Sequence, residues 1–314
     1  MKAKTRHLLF ATLVVLAGVG VGCTMTLHRF GVITATYDLI TAALGSAPYC
    51  GWSEILLANF RAAVRLYREP VSVRPLRRDP SRRFELVGTA NREFWFPATG
   101  GELPPTQLLA FLLAEQNRFQ TSYPQFLPRK GDIVLDCGAH VGTFTDLALR
   151  LGAAKVIAIE PEPDNLECLR RNFSAEIGSD RVVLLQRGVW DSEGTLTLKT
   201  SAANSGMNSA VLPYEGKAIQ IPVSTIDRIV DELRLPKVDY IKIDIEGAEK
   251  QALLGAKSLI SRHKPRLFVE SLHYKNEAAD LIATVKSLAS YETCATGPCN
   301  YKSGTFVPLY VAWE

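Results

Sequence analysis

From residue 131 to the end of the chain, short apolar runs alternate with segments of helical spacing, and this rhythm constrains the fold more than any other feature. DIVLDCG (132–138), VIAIE (156–160), VVLLQ (182–186), VDYIKIDI (238–245) and RLFVES (266–271) read as buried strands. Between and after them, Thr143–Leu151, Asp164–Phe173, Thr225–Leu233, Ala248–Ser261 and Ala278–Ala289 read as helices. Strands alternating with helices of this length are joined by right-handed crossovers into a mainly parallel sheet covered on both faces. GTLTLK (194–199) and AIQIPV (218–223) alternate apolar and polar residues as an inserted hairpin, joined through the soft loop SAANSGMNSA (201–210). The apolar FVPLYVAW (306–313) closes the chain as a strand, and no internal repeat is present.

Composition excludes other classes. With 47% hydrophobic and 22% charged residues over 314 positions, the chain is neither disordered nor collagen-like. Its formal charge of +4 is local: residues 1–29 carry Lys2, Lys4, Arg6 and Arg29 and no acid. Without those four, 32 basic residues face 32 acidic ones, so no overall field for nucleic acid exists. The six cysteines form no CxxC pair and no zinc spacing. Cys137 reads as a small buried residue, and Cys294 and Cys299 could pair only in an exported domain.

Residues 8–27 contain no formal charge and follow Lys2, Lys4, Arg6 and His7. Twenty such residues match a hydrocarbon core of about 30 Å, which predicts a single membrane anchor. A cleaved signal peptide, lipoprotein processing at Gly22-Cys23, a transit peptide and a buried helix are the other readings of the same segment. Three basic residues before the span against Arg29 after it would leave the N-terminus in the cytoplasm. The expected organisation is an anchor or signal segment over 1–30, a helical and hairpin extension over 31–104, and the α/β domain over 105–314. Within the extension, 46–68 reads as helix, 70–83 as a linker or irregular basic surface, and Phe84–Val87 with Glu93–Phe96 as a hairpin. Pro104–Phe119 carries apolar residues at helical spacing.

The chemistry concentrates in two places. In VLDCGAHVG (134–142), Asp136, Gly138 and Gly142 stand where a strand passes into a helix. Glycines there let the backbone turn sharply and approach a ligand, and the helix start offers free N–H groups. Glu160, eighteen residues beyond Gly142, ends the next strand, where a carboxylate can accept both hydroxyls of a ribose. Ala139-His140 replaces the second glycine of a dinucleotide turn, and the G-K-[ST] of a phosphate loop is missing. An aspartate before the turn suits a cationic, phosphate-free cofactor such as S-adenosyl-L-methionine and would repel a pyrophosphate. The bland alternative makes Asp136 a cap of the following turn. In the second place, Asp244 ends a strand and Glu246 and Glu249 open a helix; complementing the helix dipole is the simple role for Glu249.

Together these stretches, DIVLDCGAHVGTFT (132–145) and STIDRIVDELRLPKVDYIKIDIEGAEKQALLGA (224–256), resemble the FkbM-type S-adenosylmethionine-dependent methyltransferases. GVWDSEGTLTL (188–198) fits the same pattern, the resemblance covers roughly 105–300, and nothing comparable matches residues 1–80. It implies a doubly wound, mainly parallel, seven-stranded Rossmann-like sheet and O-methylation of a sugar, glycan or small natural product. By position it implies that Asp136, Gly138, Ala139, Gly142 and Asp244 line the cofactor and that Glu160 holds the ribose. Trp190 or Asp191 would lie near the adenine, and Glu115 and Tyr123 near the methionine end.

An alcohol attacking a sulfonium methyl gains from a base that accepts its proton. Asp244, Glu246, Glu270 and His273 are the candidates, since VESLH (269–273) ends the strand beside the one carrying Asp244. No resident metal is expected. Asp244-Ile-Glu-Gly lacks the Pro-Pro-aromatic run of nucleic-acid amino-methyltransferases, and the glycine pattern disfavours a nicotinamide enzyme. An inactive, membrane-tethered nucleotide- or glycan-binding module is the competing reading. The expected partners are the acceptor and, through residues 8–27, the membrane, with no nucleic acid.

Overall fold

The computed structural model describes residues 71–98, 103–201, 205–274, 276–297, 299–302, 305–308 and 310–314. The expected anchor, the helix over 46–68, Cys23 and Cys50 all lie outside these residues. Among the described residues, no helix is long and apolar enough to cross a membrane.

Three short strands come first: β1 (Arg74–Arg78), β2 (Phe84–Gly88) and β3 (Glu93–Pro97), antiparallel in that order. Helix α1 (Pro105–Ser122) and a 3-10 turn (Pro124–Phe126) lead into β4 (Ile133–Cys137). Then follow α2 (Thr143–Arg150), β5 (Lys155–Ile159), α3 (Pro163–Asn172), the short α4 (Ser174–Gly178) and β6 (Val182–Leu185). The insertion consists of β7 (Gly188–Val189), β8 (Gly194–Lys199) and β9 (Ala218–Ser224). Next come α5 (Ile226–Glu232), β10 (Tyr240–Ile243), α6 (Glu249–Gly255), α7 (Lys257–His263), β11 (Arg266–Glu270) and α8 (Glu277–Leu288). The chain closes with β12 (Cys294–Thr296), β13 (Cys299–Lys302), β14 (Thr305–Pro308) and β15 (Tyr310–Trp313).

The main sheet has seven strands in the order β12-β15-β11-β10-β4-β5-β6. The run β11-β10-β4-β5-β6 is parallel, whereas β15 runs antiparallel to both β11 and β12. Alternation along each strand divides the core in two. Leu135, Ile157, Ile241 and Leu267 face α5, α6, α7 and α8. Val134, Val156, Tyr240 and Val182 face α1, α2 and α3, together with the three-stranded sheet through Phe84, Val87, Phe94 and Phe96. Strand order reverses between β4 and β10, and in open α/β sheets a ligand crevice forms outside the carboxyl ends at that point.

Several expectations need correction. The basic stretch 70–83 is not an irregular linker: Arg74–Arg78 pairs with β2, and Arg77 and Arg171 lie over the Trp95 ring. The single helix expected over 248–261 is two, because the Asp227 carboxylate on α5 accepts from the N–H groups of Ser258 and Leu259 and starts α7 afresh. The terminal apolar run divides into β14 and β15, with only β15 in the main sheet. Cys137 and Cys168 are buried free thiols, and Cys294 is an exposed one.

The turn after β4 depends on backbone proximity. Gly138 has φ +77°, and a Cβ built there would stand 1.9 Å from the Asp244 carbonyl oxygen. Gly131, with φ +88°, has nothing within 4 Å of such a Cβ. Gly131→Ala should therefore cost only the left-handed penalty of about 1 kcal/mol. Gly138→Ala should cost about 3 kcal/mol or more, because main chain rather than a flexible side chain must move. Urea unfolding midpoints of the two variants measure the contrast, and equal losses would refute it.

Candidate active site

A cavity of about 440 Å³ opens at the carboxyl ends of β4, β5, β10 and β11, with α1 and the 205–210 loop on its flanks. Its size suits a small ligand. Gly138, Ala139, Glu160, Trp190, Asp244, Glu246 and Glu270 line it, as does Glu115 on α1. Asp136, Gly142, Asp191, His273 and Tyr123 are not on its wall.

Each displaced residue has a definite place. Asp136 is fully buried behind the turn, where its carboxylate accepts from the Thr145 hydroxyl at 2.7 Å and faces Lys242 Nζ at 3.4 Å. It therefore braces the glycine turn from below. Gly142, with φ +94°, begins α2 and has Phe173 and Leu169 where a side chain would go. Asp191 is exposed and accepts from the Ser192 hydroxyl. Tyr123 packs edge-on against Tyr310, with ring centroids 5.2 Å apart.

The end of the cavity nearest β5 is organised around Glu160. One carboxylate oxygen accepts from the His140 N–H at 2.8 Å, and the other from the Glu162 N–H at 3.0 Å. The Asn165 side chain, at 3.4 Å, also reaches the second oxygen. The first oxygen keeps a lone pair toward the cavity, while the second holds two donors, one of them at the long distance of 3.4 Å. Burial pushes the Glu160 carboxyl up to about 7, against the lowering effect of these N–H donors. His140 adopts φ +52°, packs edge-on to Phe96, and shares a 2.8 Å hydrogen bond with the Ser205 hydroxyl. Burial and the nearby Lys242 hold its imidazole neutral, with its pKa lowered to about 3. Asn165 also donates to the Ser205 carbonyl, so two groups clip the 205–210 loop over this end.

Lys242 holds the centre together. Its ammonium donates to the Gly138 carbonyl at 2.7 Å and lies 3.4 Å from both Asp136 and Asp244. Burial favours the neutral amine, but the charges of Asp244 and Asp136 keep it protonated. Burial works to raise the Asp244 carboxyl, but Lys242, a hydrogen bond from Glu270 and the charge of His273 together hold it below its ordinary value. Burial, then the charge on Asp244, drive the Glu270 carboxyl well upward, so Glu270 holds the proton of the pair.

At the opposite wall, His273 meets four carboxylates. Nε2 is 3.2 Å from Glu270 and 3.5 Å from Glu246; Nδ1 is 3.3 Å from Glu277 and 3.5 Å from Glu249. Burial would favour a neutral imidazole, yet the four acids hold it protonated. The expectation of His273 as a proton acceptor is corrected on this ground: it is fully buried, off the cavity wall, and already holds its proton. Glu249 is not a surface dipole partner either. It is fully buried, accepts from the Ile245 and Gly247 N–H groups, and is pushed up to about 8 by burial.

Sequence reading missed Lys242, His140, Asn165, Ser205 and Tyr214. A lone lysine inside YIKIDI was the visible sign of the first. The others act through loop conformations that no periodicity records. Tyr214 donates to Glu246 at 2.8 Å from the inserted segment, 32 residues away in sequence.

Residues 136–291 match the Methyltransferase FkbM domain. The chain is similar to Methyltransferase sdnD of Sordaria araneosa, 30% identical over 155 residues, covering 39% of this chain and 59% of that protein. Hexuronic acid methyltransferase AglP of Haloferax volcanii is 30% identical over 126 residues, 40% of this chain and 49% of that one. The 31-O-demethyl-FK506 methyltransferase FkbM of Streptomyces tacrolimicus is 28% identical over 156 residues, 40% of this chain and 60% of that one. The chain thus spans between about half and three fifths of the length of these relatives. Matched from the aspartate under the glycine turn to a point beyond α8, the chain belongs to the FkbM methyltransferase family.

Proposed function

We propose that this protein is an S-adenosylmethionine-dependent O-methyltransferase acting on a hydroxyl of a sugar, glycan or small natural product. The observation that carries the reading is Glu160: a buried carboxylate on the cavity wall, oriented by two main-chain N–H groups, with one oxygen still able to accept from the cavity. One ribose hydroxyl offers such a donor, and the other can take the place of the long Asn165 contact on the second oxygen. The negative wall of Asp244 and Glu246 supports a cationic ligand over a polyphosphate. The name of the Streptomyces relative, a 31-O-demethyl-FK506 methyltransferase, supports transfer to an oxygen, and that of the Haloferax relative, a hexuronic acid methyltransferase, supports a sugar-derived acceptor. Membrane attachment through residues 8–27 belongs to the same proposal.

S-adenosylmethionine, when bound, supplies a sulfonium methyl carbon open to in-line attack. The chain's part is to place the acceptor oxygen and remove its proton. In this reading Glu160 holds the ribose and the apolar side of Trp190 borders the adenine. Asp244, held ionised by Lys242 and 38% exposed to the cavity, receives the acceptor's proton. The oxygen–methyl bond forms as the methyl–sulfur bond breaks, with its electron pair left on sulfur as a neutral thioether.

Titration with S-adenosylhomocysteine tests the cofactor half. Wild type should bind in the micromolar range, and Glu160→Ala should lose about 100-fold, or 2–3 kcal/mol. The ribose needs an ionised Glu160, whose carboxyl lies at about 7 in the ligand-free fold. Affinity should therefore fall by up to about tenfold per pH unit below 7 and level off above it, with no such slope in Glu160→Ala. Absence of binding by folded wild type, or a pH-independent affinity, would remove the basis for this reading.

The acceptor half is tested by Asp244→Asn at saturating cofactor. Turnover on a responsive hydroxyl acceptor should drop about 10²- to 10⁴-fold. An unchanged rate would show that the proton leaves by another route.

A further inference from the structure

We propose that Glu246, Glu270 and His273 bind one divalent cation of the Mn²⁺ type at the acceptor end of the cavity. One oxygen from each glutamate and Nε2 of the histidine all lie within 4.8 Å of one another. Nε2 stands 3.2 Å from Glu270 Oε2 and 3.5 Å from Glu246 Oε2. Metal–ligand bonds of about 2.1 Å place neighbouring donor atoms of an octahedron about 3 Å apart, so small side-chain shifts would close the set.

A cluster of acids alone would not carry this. The independent sign is the imidazole itself, whose side chain is fully buried and whose Nε2 is aimed between the Glu270 and Glu246 oxygens without a well-aligned hydrogen bond to either. The opposite ring nitrogen is arranged differently. Nδ1 lies in hydrogen-bond contact with Glu277 Oε1 at 3.3 Å, and the other oxygen of Glu277 accepts the His273 main-chain N–H at 2.6 Å. A carboxylate on one nitrogen that leaves the other aimed at a set of oxygens is how metal-binding histidines are commonly oriented. Glu246 and Glu270 line the cavity, so further coordination positions would open toward the ligand space. Two carboxylates with one imidazole suit a borderline first-row cation such as Mn²⁺ better than Ca²⁺.

The chemical use of such an ion rests on the methyl-transfer reading: beside Asp244 it would polarise the acceptor hydroxyl and ease its deprotonation. Binding of the ion does not depend on that reading, and the test separates the two. Mn²⁺ titration of the full-length protein, followed by loss of the free-ion electron paramagnetic resonance signal, should show one equivalent with micromolar affinity. Glu246→Gln should weaken binding at least 30-fold. Circular dichroism establishes that the variant is folded, and S-adenosylhomocysteine titration of the same samples reads the cofactor site independently. No Mn²⁺ uptake at millimolar ion, or uptake equally strong in folded Glu246→Gln, would overturn the proposal whatever the adenosyl ligand does.

Discussion

The site depends on one buried ammonium. In the parallel register of β10 and β4, Lys242 is the direct partner of Asp136, so both point to the same face of the sheet at the strand-order reversal. Extending the chain beyond Lys242 brings Asp244 to the level of Gly138, with the Asp244 N–H bonded to the Cys137 carbonyl. Lys242 thereby ties together the end of one strand, the glycine turn of the next and the carboxylate that enters the cavity. A buried ion pair of this kind adds little net stability over an apolar pair, but loss of one member leaves an uncompensated charge at a cost of about 3–5 kcal/mol. That asymmetry explains why Lys242 and Asp136 form a unit. Neither could be exchanged alone, and the close approach of Gly138 to the Asp244 carbonyl leaves no room for the turn to relax.

Around this centre the protein separates its charges into two groups. Lys242 balances Asp136 and Asp244, while His273 balances Glu246, Glu249 and Glu277. Glu270 lies between the groups, its oxygen 3.2 Å from His273 and its carboxyl driven upward by burial and by Asp244. The result is a cavity with two chemically distinct walls. At the β5 end a single oriented carboxylate and a neutral histidine offer hydrogen bonds; at the β10–β11 end a concentration of acid requires positive charge. A ligand with a polar nucleoside and a cationic centre matches this polarity, whereas a phosphate at the second wall would be repelled.

Much of this was legible in the sequence, and the failures share a cause. The strands, their order of use and the carboxylates at their ends follow from hydrophobic alternation and from the positions of Asp136, Glu160, Asp244 and Glu270. Those signals are local. What escaped was set by register and by distant loops. Asp136 reads as a lining residue until the pairing with Lys242 turns it into a brace beneath the turn. His273 reads as a base until four acids from α6, α8 and the ends of β10 and β11 converge on it. The strand in Arg74–Arg78 escaped because arginines conceal its alternation, and cation–π contacts to Trp95 stand in for apolar burial.

The inserted segment between β6 and β10 adds a wall to the cavity of the main sheet. Its own apolar cluster, Leu198, Ile221 and Val223, makes it a separately packed unit. It lines much of one side of the cavity, and a few of its polar contacts fall on the site's carboxylates and their partners. Ser205 accepts from Asn165 and meets His140 beside Glu160; the Ser209 hydroxyl donates to the Glu246 carbonyl; Tyr214 donates to the Glu246 carboxylate. Glu246 itself sits at φ +56°, in the left-handed region that a non-glycine residue seldom occupies. The Ser209 hydroxyl bonded to its carbonyl compensates such a conformation and aims its side chain toward His273. Changes in the length or composition of this insertion can therefore reshape the Glu246 end of the cavity while Lys242 and the glycine turn stay as they are.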